Sequence, residues 1–406
     1  MINITNQKIY LGLTAVILIR VISIYLFADE RIENEWGVML YNLEHHQILS
    51  IRSIDGYLAP NLFMPPLYPL FLFLIKSSIN NPQFFLNVIF FIQLLLSVVS
   101  VILIYKILLQ LFSKKLSLVG TTIYAFFPLN VYAVSQTSSV VLQIFLLNIF
   151  IYSFIKLFKK DELFHFFIFS LSSALLILLR GEFFLFVMLT QIYIFINNKK
   201  LSKLILTSLL IILLISPYLY RNYKIFGEIT ITKSLGFNLL KGNNPKSKVE
   251  GVPLFGEETL ILPEIKKEIT NLNNSDDLKK YDLLVDKIYF NQAINYIKEN
   301  PSRYILLYVK KFLSFLMIDF NSSYQNYYSL LNILPKIIIS VLSLVCIVLT
   351  FNFKINIMNY FILFYISNIG LFSFFFILPR YSLILLPIQL ILSLEGIRLI
   401  KRKFFN

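Results

Sequence analysis

The chain has 406 residues, 57% of them hydrophobic and 15% charged, with a mean hydropathy of +0.73. Soluble domains carry about 25% charged residues, so this composition excludes an ordinary water-soluble fold and indicates a polytopic helical membrane protein. The net charge of +15 is read as Lys and Arg gathered in cytoplasmic loops, not as a nucleic-acid surface. The single cysteine, Cys346, lies in an apolar run and excludes an internal disulfide and a cysteine-based metal site.

A helix needs about 17–25 apolar residues to cross a bilayer. In chain order, apolar runs predict spans at 9–28, 84–111, 116–132, 140–158, 163–179, 183–196, 204–219, 334–351, 357–378 and 383–400. Arg20 lies inside the first run and no small-residue site comes after it, which argues against a cleaved signal peptide. Two further runs are ambiguous: 62–75 begins near the pair Pro65-Pro66, and 304–320 carries Lys310 and Lys311 in its middle. If both lie in the outer interface, the inner loops hold Lys8, Lys106, Lys114, Lys115, Lys156, Lys159, Lys160, Lys199, Lys200, Lys203, Lys354, Arg398, Lys401, Arg402 and Lys403. The short outer loops then hold only Arg31, Arg52, Lys76, Arg180 and Arg380. That bias predicts ten spans with both termini cytoplasmic.

The organisation expected is an N-terminal membrane module (1–219) with an outer first loop (28–83), an extracytoplasmic subdomain (220–302), and a C-terminal part (303–406) of one interfacial helix and three spans. Within the subdomain, Tyr281, Leu284, Val285, Ile288 and Tyr289 recur at helical spacing. They predict a helix over 276–299 with Ser275 as N-cap and Pro301 as its stop. No internal repeat is visible, which weighs against a transporter.

The outer side would collect carboxylates at Asp29, Glu30, Glu33, Glu35, Asp55 and Glu182, and arginines at Arg180, Arg221 and Arg380. Carboxylates so near a bilayer are costly without a purpose. A carboxylate can deprotonate a hydroxyl or amine, and a guanidinium forks onto phosphate oxygens. The pair suits transfer from a phosphate-activated lipid. Arg180 and Arg380 could also be interface anchors, although positive charge is disfavoured at outer span ends. Arg20 reads as snorkelling or as paired with a membrane carboxylate, and His45-His46 as surface.

Several pieces stand in a set order: EWGVMLYNL (35–43), MPPLYP (64–69), LLRGEFFLF (178–186), SPYLYRNYKIFGEI (216–229), KGNNP (241–245), ENPSRY (299–304) and PRYSLILLP (379–387). With the acidic first loop, they make the chain resemble the GT-C superfamily of membrane glycosyltransferases, in the protein O-mannosyltransferase-like and aminoarabinose-transferase-like group. The resemblance implies an all-α polytopic GT-C fold in a bacterial plasma membrane, a polyprenyl-phosphate-linked sugar as donor, and inverting transfer to an extracytoplasmic lipid, glycan or protein acceptor. It carries a first-loop base, Glu35 or Glu33 with Asp29 next, and a lipid-phosphate site at Arg180, Arg221 and Arg380 with Glu182 and Tyr381 in the same motifs. Asn222 and Asn243 are polar ligands or loop braces. No cofactor is implied, and no ligand set for a metal is evident. The chain departs from many relatives in the turn AVSQTSSV (133–140), which lacks a carboxylate, and in Phe63-Met64 before the proline pair. The competing readings are a membrane transporter or lipid-linked glycan flippase, and a glycan polymerase.

Overall fold

The computed structural model describes the chain apart from residues 1–3, 33, 160–161, 252–262, 274–277, 320, 324–328, 353 and 405–406. The protein is helical throughout, with one two-stranded hairpin among the described residues. Helix α1 (Ile4–Phe27) carries the first apolar run and α2 (Asn34–His46) the acidic and aromatic stretch after it. Strands β1 (Arg52–Ile54) and β2 (Tyr57–Ala59) pair antiparallel, Ile54 opposite Tyr57. Asp55 and Gly56 turn the chain with φ of 48° and 86°, the two positive angles a type I′ turn requires. Then α3 (Leu67–Lys76) starts directly after Pro65-Pro66. At about 1.5 Å per residue, its 10 residues are too few to cross a bilayer.

The next helices follow the apolar runs. They are α4 (Pro82–Leu109), α5 (Lys114–Ala125), α6 (Pro128–Tyr132), α7 (Val140–Lys159), α8 (Leu163–Leu179), α9 (Phe183–Asn198) and α10 (Leu201–Phe226). The expected single span over 116–132 is instead broken: α5 and the segment beginning at Pro128 are bent by 56°. The cause is Pro128, which cannot donate to the preceding turn and so restarts the helix as its first residue. Helix α10 runs past the expected end at 219 and stops at Gly227, which takes the left-handed conformation. Arg221 and Asn222 are therefore helical residues, not loop residues.

The subdomain comprises α11 (Leu235–Gly242), α12 (Pro263–Asn273) and α13 (Tyr281–Glu299). Helix α13 buries Tyr281, Val285 and Tyr289, the expected stripe; the proposed cap Ser275 lies outside the described residues. Pro301 both ends that helix and opens α14 (Pro301–Leu316). The chain closes with α15 (Leu330–Thr350), α16 (Ile357–Ser373), α17 (Pro379–Ile384) and α18 (Leu386–Phe404).

By length and composition four helices can cross a membrane (α4, α7, α10 and α15), or five if the bent pair is one span; α8, α9 and α16 are shorter apolar helices. The chain is a multi-pass membrane protein. Helix α7 is the centre of the bundle, with 72% of its apolar window buried against 17% for α10, whose Leu213 and Ile212 face outward. Two apolar cores form. The larger binds the bundle together; the smaller joins α11–α14 to Ile54 and Ala59 of the hairpin. The hairpin of the first loop thus packs into the subdomain.

Polar side chains tie the helix ends to one another. At one end Lys159 reaches Gln110, Asn197 reaches Phe158 and Tyr193 reaches Asn356. Elsewhere Asp29 is joined to Thr137, Arg221 to Asn61, and Arg180 and Arg380 to the Tyr381 ring. Arg20 neither snorkels nor meets a carboxylate. It is fully buried, and its Nε donates to Ser97 Oγ at 2.7 Å and its Nη1 to Val16 O at 3.1 Å, because serines on α4 offer acceptors at that depth.

Candidate active site

Tyr381, the third residue of α17, organises a cationic corner. Its ring has the Arg180 guanidinium carbon 5.3 Å from its centre and that of Arg380 5.9 Å away. Both distances lie within cation–π range. Arg180 sits just past the end of α8, where its backbone N–H closes the last turn on Leu176. Its Nε donates to Glu182 Oε1 at 2.5 Å, and its guanidinium also lies 5.8 Å from the Phe372 ring. Burial works against the cation, but Glu182 and Tyr381 outweigh it and hold the Arg180 pKa above its ordinary value. Arg380, by contrast, is exposed.

A third cation enters from α11. Lys241 Nζ lies 4.6 Å from the centre of the Phe376 ring, which packs 6.0 Å from Tyr381. Burial lowers the pKa of the Lys241 ammonium; Arg380 lowers it further and Glu35 partly restores it. Arg380 and Glu35 both act electrostatically on Lys241, and Arg380 and Arg180 share the Tyr381 ring. Lys241 is a cation that sequence reasoning left unassigned. Its motif KGNNP has a structural logic as well. A side chain on Gly242 would meet Phe375 O at 1.9 Å, so only glycine lets α11 approach the segment after α16.

The first-loop acids part company. Asp29 is half-buried and locked to the turn after α6: its N–H donates to Ser135 O at 3.1 Å, and its Oδ2 accepts from Thr137 N at 2.6 Å and Thr137 Oγ1 at 2.8 Å. Gln136 Nε2 donates to Phe27 O at 2.9 Å, so the turn without a carboxylate is tied to the loop that has one. The Asp29 charge also reaches Tyr68 of the MPPLYP motif. The Tyr68 phenol is buried with no hydrogen-bond partner; burial raises its pKa and the Asp29 charge adds to the effect. The only tryptophan, Trp36, packs edge-on to Tyr68 at 5.1 Å. Glu35 is exposed at the start of α2, and Glu33 lies outside the described residues.

Arg221, Asn222 and Asn243 are braces. Arg221 Nη1 donates to Asn61 O at 2.8 Å and to Asn222 Oδ1 at 2.7 Å. Asn222, fully buried, donates to Thr230 O at 2.6 Å. Asn243 donates to Leu239 O and Phe374 O, and accepts from the buried ammonium of Lys311 at 3.1 Å. Among the described residues no group of three His, Cys, Asp or Glu could hold a metal ion. His45 and His46 are exposed, His45 stacked on Tyr41.

Residues 64–220 match the family model of dolichyl-phosphate-mannose-protein mannosyltransferases. No curated protein matches the chain, and no solved structure does. The match takes in the proline pair, Tyr68, Arg180 and Glu182, while Asp29, Glu35, Lys241 and Arg380 lie outside it and are joined to it by the fold. Over residues 64–220 the chain is thus similar to the dolichyl-phosphate-mannose-protein mannosyltransferases.

Proposed function

We propose that the protein transfers one sugar from a polyprenyl-phosphate carrier to an acceptor on the extracytoplasmic side of a bacterial plasma membrane, with ten spans and both termini cytoplasmic. The observation that carries this reading is the cationic corner of Arg180, Arg380 and Lys241 on the same end of the bundle as an oriented carboxylate, Asp29. Three cations around one aromatic cluster suit a phosphodiester oxyanion. They would stabilise the lipid phosphate as its bond to the sugar breaks, since charge developing there is what preorganised donors can favour. Lys241 adds a point charge where the two arginines supply planar forks.

An inverting displacement places the acceptor opposite the leaving phosphate. The base therefore belongs away from the cations. Asp29 meets that condition: its carboxylate is held by the N–H and hydroxyl of Thr137 and its charge reaches the Tyr68 phenol. Glu35 interacts with Lys241 and serves better to place that ammonium. The base is thus Asp29 rather than Glu35. Its Oδ2 is fixed by two donors, leaving Oδ1 to take the proton from an acceptor hydroxyl or amine. Sugar C1 bonds to that acceptor atom, and the electron pair of the C1–O bond leaves on the phosphate.

The test offers the purified protein a panel of radiolabelled polyprenyl-phosphate sugars with a membrane extract as acceptor. Label moves into an acceptor with wild type and fails to with Asp29→Asn. Transfer that persists in Asp29→Asn sinks the base assignment, and no transfer from any donor sinks the reaction.

A further inference from the structure

Asp282, the second residue of α13, is more heavily engaged than any feature of its sequence suggests. Its side chain is 2% exposed. Oδ2 accepts from two successive backbone groups, Leu62 N at 2.8 Å and Phe63 N at 3.2 Å, and Oδ1 accepts from Arg52 Nε at 2.9 Å. A carboxylate that receives consecutive N–H groups dictates the local backbone path. The same few residues are held from other directions. Asn61 O accepts from Arg221, Leu62 O accepts from Lys233 N at 2.7 Å, and Asn61 closes on Met64 through both its amide oxygen and its amide nitrogen. Arg52 lies 5.6 Å from the rings of both Phe63 and Tyr281.

The next stretch of chain is stiff. Pro65 and Pro66 fix two φ angles and deliver the chain straight into α3, where Tyr68 packs edge-on to Trp36 and feels the charge of Asp29. We propose that Asp282 is a positioning residue. By pinning residues 61–64 it sets Tyr68 and Trp36 beside Asp29, so that the subdomain and the reacting corner are registered to each other. The catalytic consequence rests on Asp29 acting as the base; the positional consequence does not.

The sole tryptophan makes the two separable. Full-length wild type, Asp282→Asn, Asp282→Ala, Arg52→Gln and Val285→Ala are compared in lipid nanodiscs. Val285 is buried one turn further along α13 and takes part in none of those hydrogen bonds. Three quantities are read: Tm, the emission and acrylamide quenching of Trp36, and turnover with donor KM. The Asp282 variants and Arg52→Gln shift Trp36 emission and quenching and lower turnover roughly 10- to 100-fold, with donor KM nearly unchanged. Val285→Ala lowers Tm while leaving Trp36 and turnover as in wild type. Should Asp282→Ala not fold, Asp282→Asn and Arg52→Gln carry the comparison. Folded Asp282→Asn with wild-type Trp36 emission overturns the proposal. So does a change no larger than that of Val285→Ala at equal loss of Tm. If wild type transfers no sugar, the reaction fails but Trp36 still decides on Asp282.

Discussion

Two arginine-rich corners lie at the same end of the bundle, and they are built for opposite purposes. Around Arg221 the polar groups are consumed internally. Asn61, Asn222 and Asp282 take its charge and its hydrogen bonds, and the result is a joint between α10, the first loop and the subdomain. Around Arg180 and Arg380 the cations gather at aromatic rings, with Tyr381 a hydrogen-bond partner of both and Glu182 the hydrogen-bonded carboxylate of Arg180. A guanidinium carries more N–H donors than Glu182 and Tyr381 take from Arg180. An arginine beside a carboxylate therefore does not by itself mark a site; what distinguishes one is whether its donors have been spent.

The largest expected effect tests the acid side of this contrast. Asp29→Asn should lower turnover by about 10²–10⁴-fold, the range for loss of a positioned general base. Glu35→Gln should cost less than about tenfold, because it removes only a partner of Lys241 and no proton acceptor. Single-turnover transfer of a labelled donor reads both, and the reverse ranking would return Glu35 to the role of base.

Next come the cations. Arg380→Gln and Lys241→Gln should each raise donor KM by about 10- to 100-fold, since a charge-assisted hydrogen bond contributes about 1.5–3 kcal/mol. Tm should barely move for Arg380→Gln, because Arg380 is exposed. Asn222→Ala should do the converse: a loss of about 1–3 kcal/mol of stability from the orphaned Thr230 carbonyl and Arg221, seen as a lower Tm, with donor KM unchanged. If Asn222→Ala raises donor KM at constant Tm, the two corners are not distinct.

Much of this contrast is legible in the sequence, and the gaps have physical causes. Helix positions come from apolar runs because hydrocarbon demands them. The break at Pro128 also has its signal in the chain, but the surrounding apolar run (116–132) masks it. Arg180, Glu182, Arg380 and Tyr381 can be grouped from motifs and sidedness. Lys241 cannot, since a lysine on a short amphipathic helix reads as solvated; only the contacts with Phe376, Arg380 and Glu35 give it a role. Asn222 and Asn243 are readable as polar residues in the right place, but whether they bind or brace depends on carbonyls supplied from elsewhere in the chain. The commitment of Asp282 to Leu62 and Phe63 is longer in range still, with 220 residues separating Asp282 from Leu62.

The smallest expected effect concerns the hairpin that packs into the subdomain beside Asp282. Asp55-Gly56 is the strongest short hairpin signal, yet its strands are three residues each, too short for an alternating pattern. Arg52, the partner of Asp282, sits at the base of this turn. Gly56 has φ of 86°, and a side chain there would meet nothing within 4 Å. Gly56→Ala therefore isolates the backbone cost of a positive φ from any steric clash. It should lower stability by about 1 kcal/mol, a small drop in Tm. Because Arg52 and Asp282 keep their contact, Trp36 emission should stay as in wild type. A shift in Trp36 from this turn alone would mean that the hairpin, and not the carboxylate of α13, sets the path of residues 61–64.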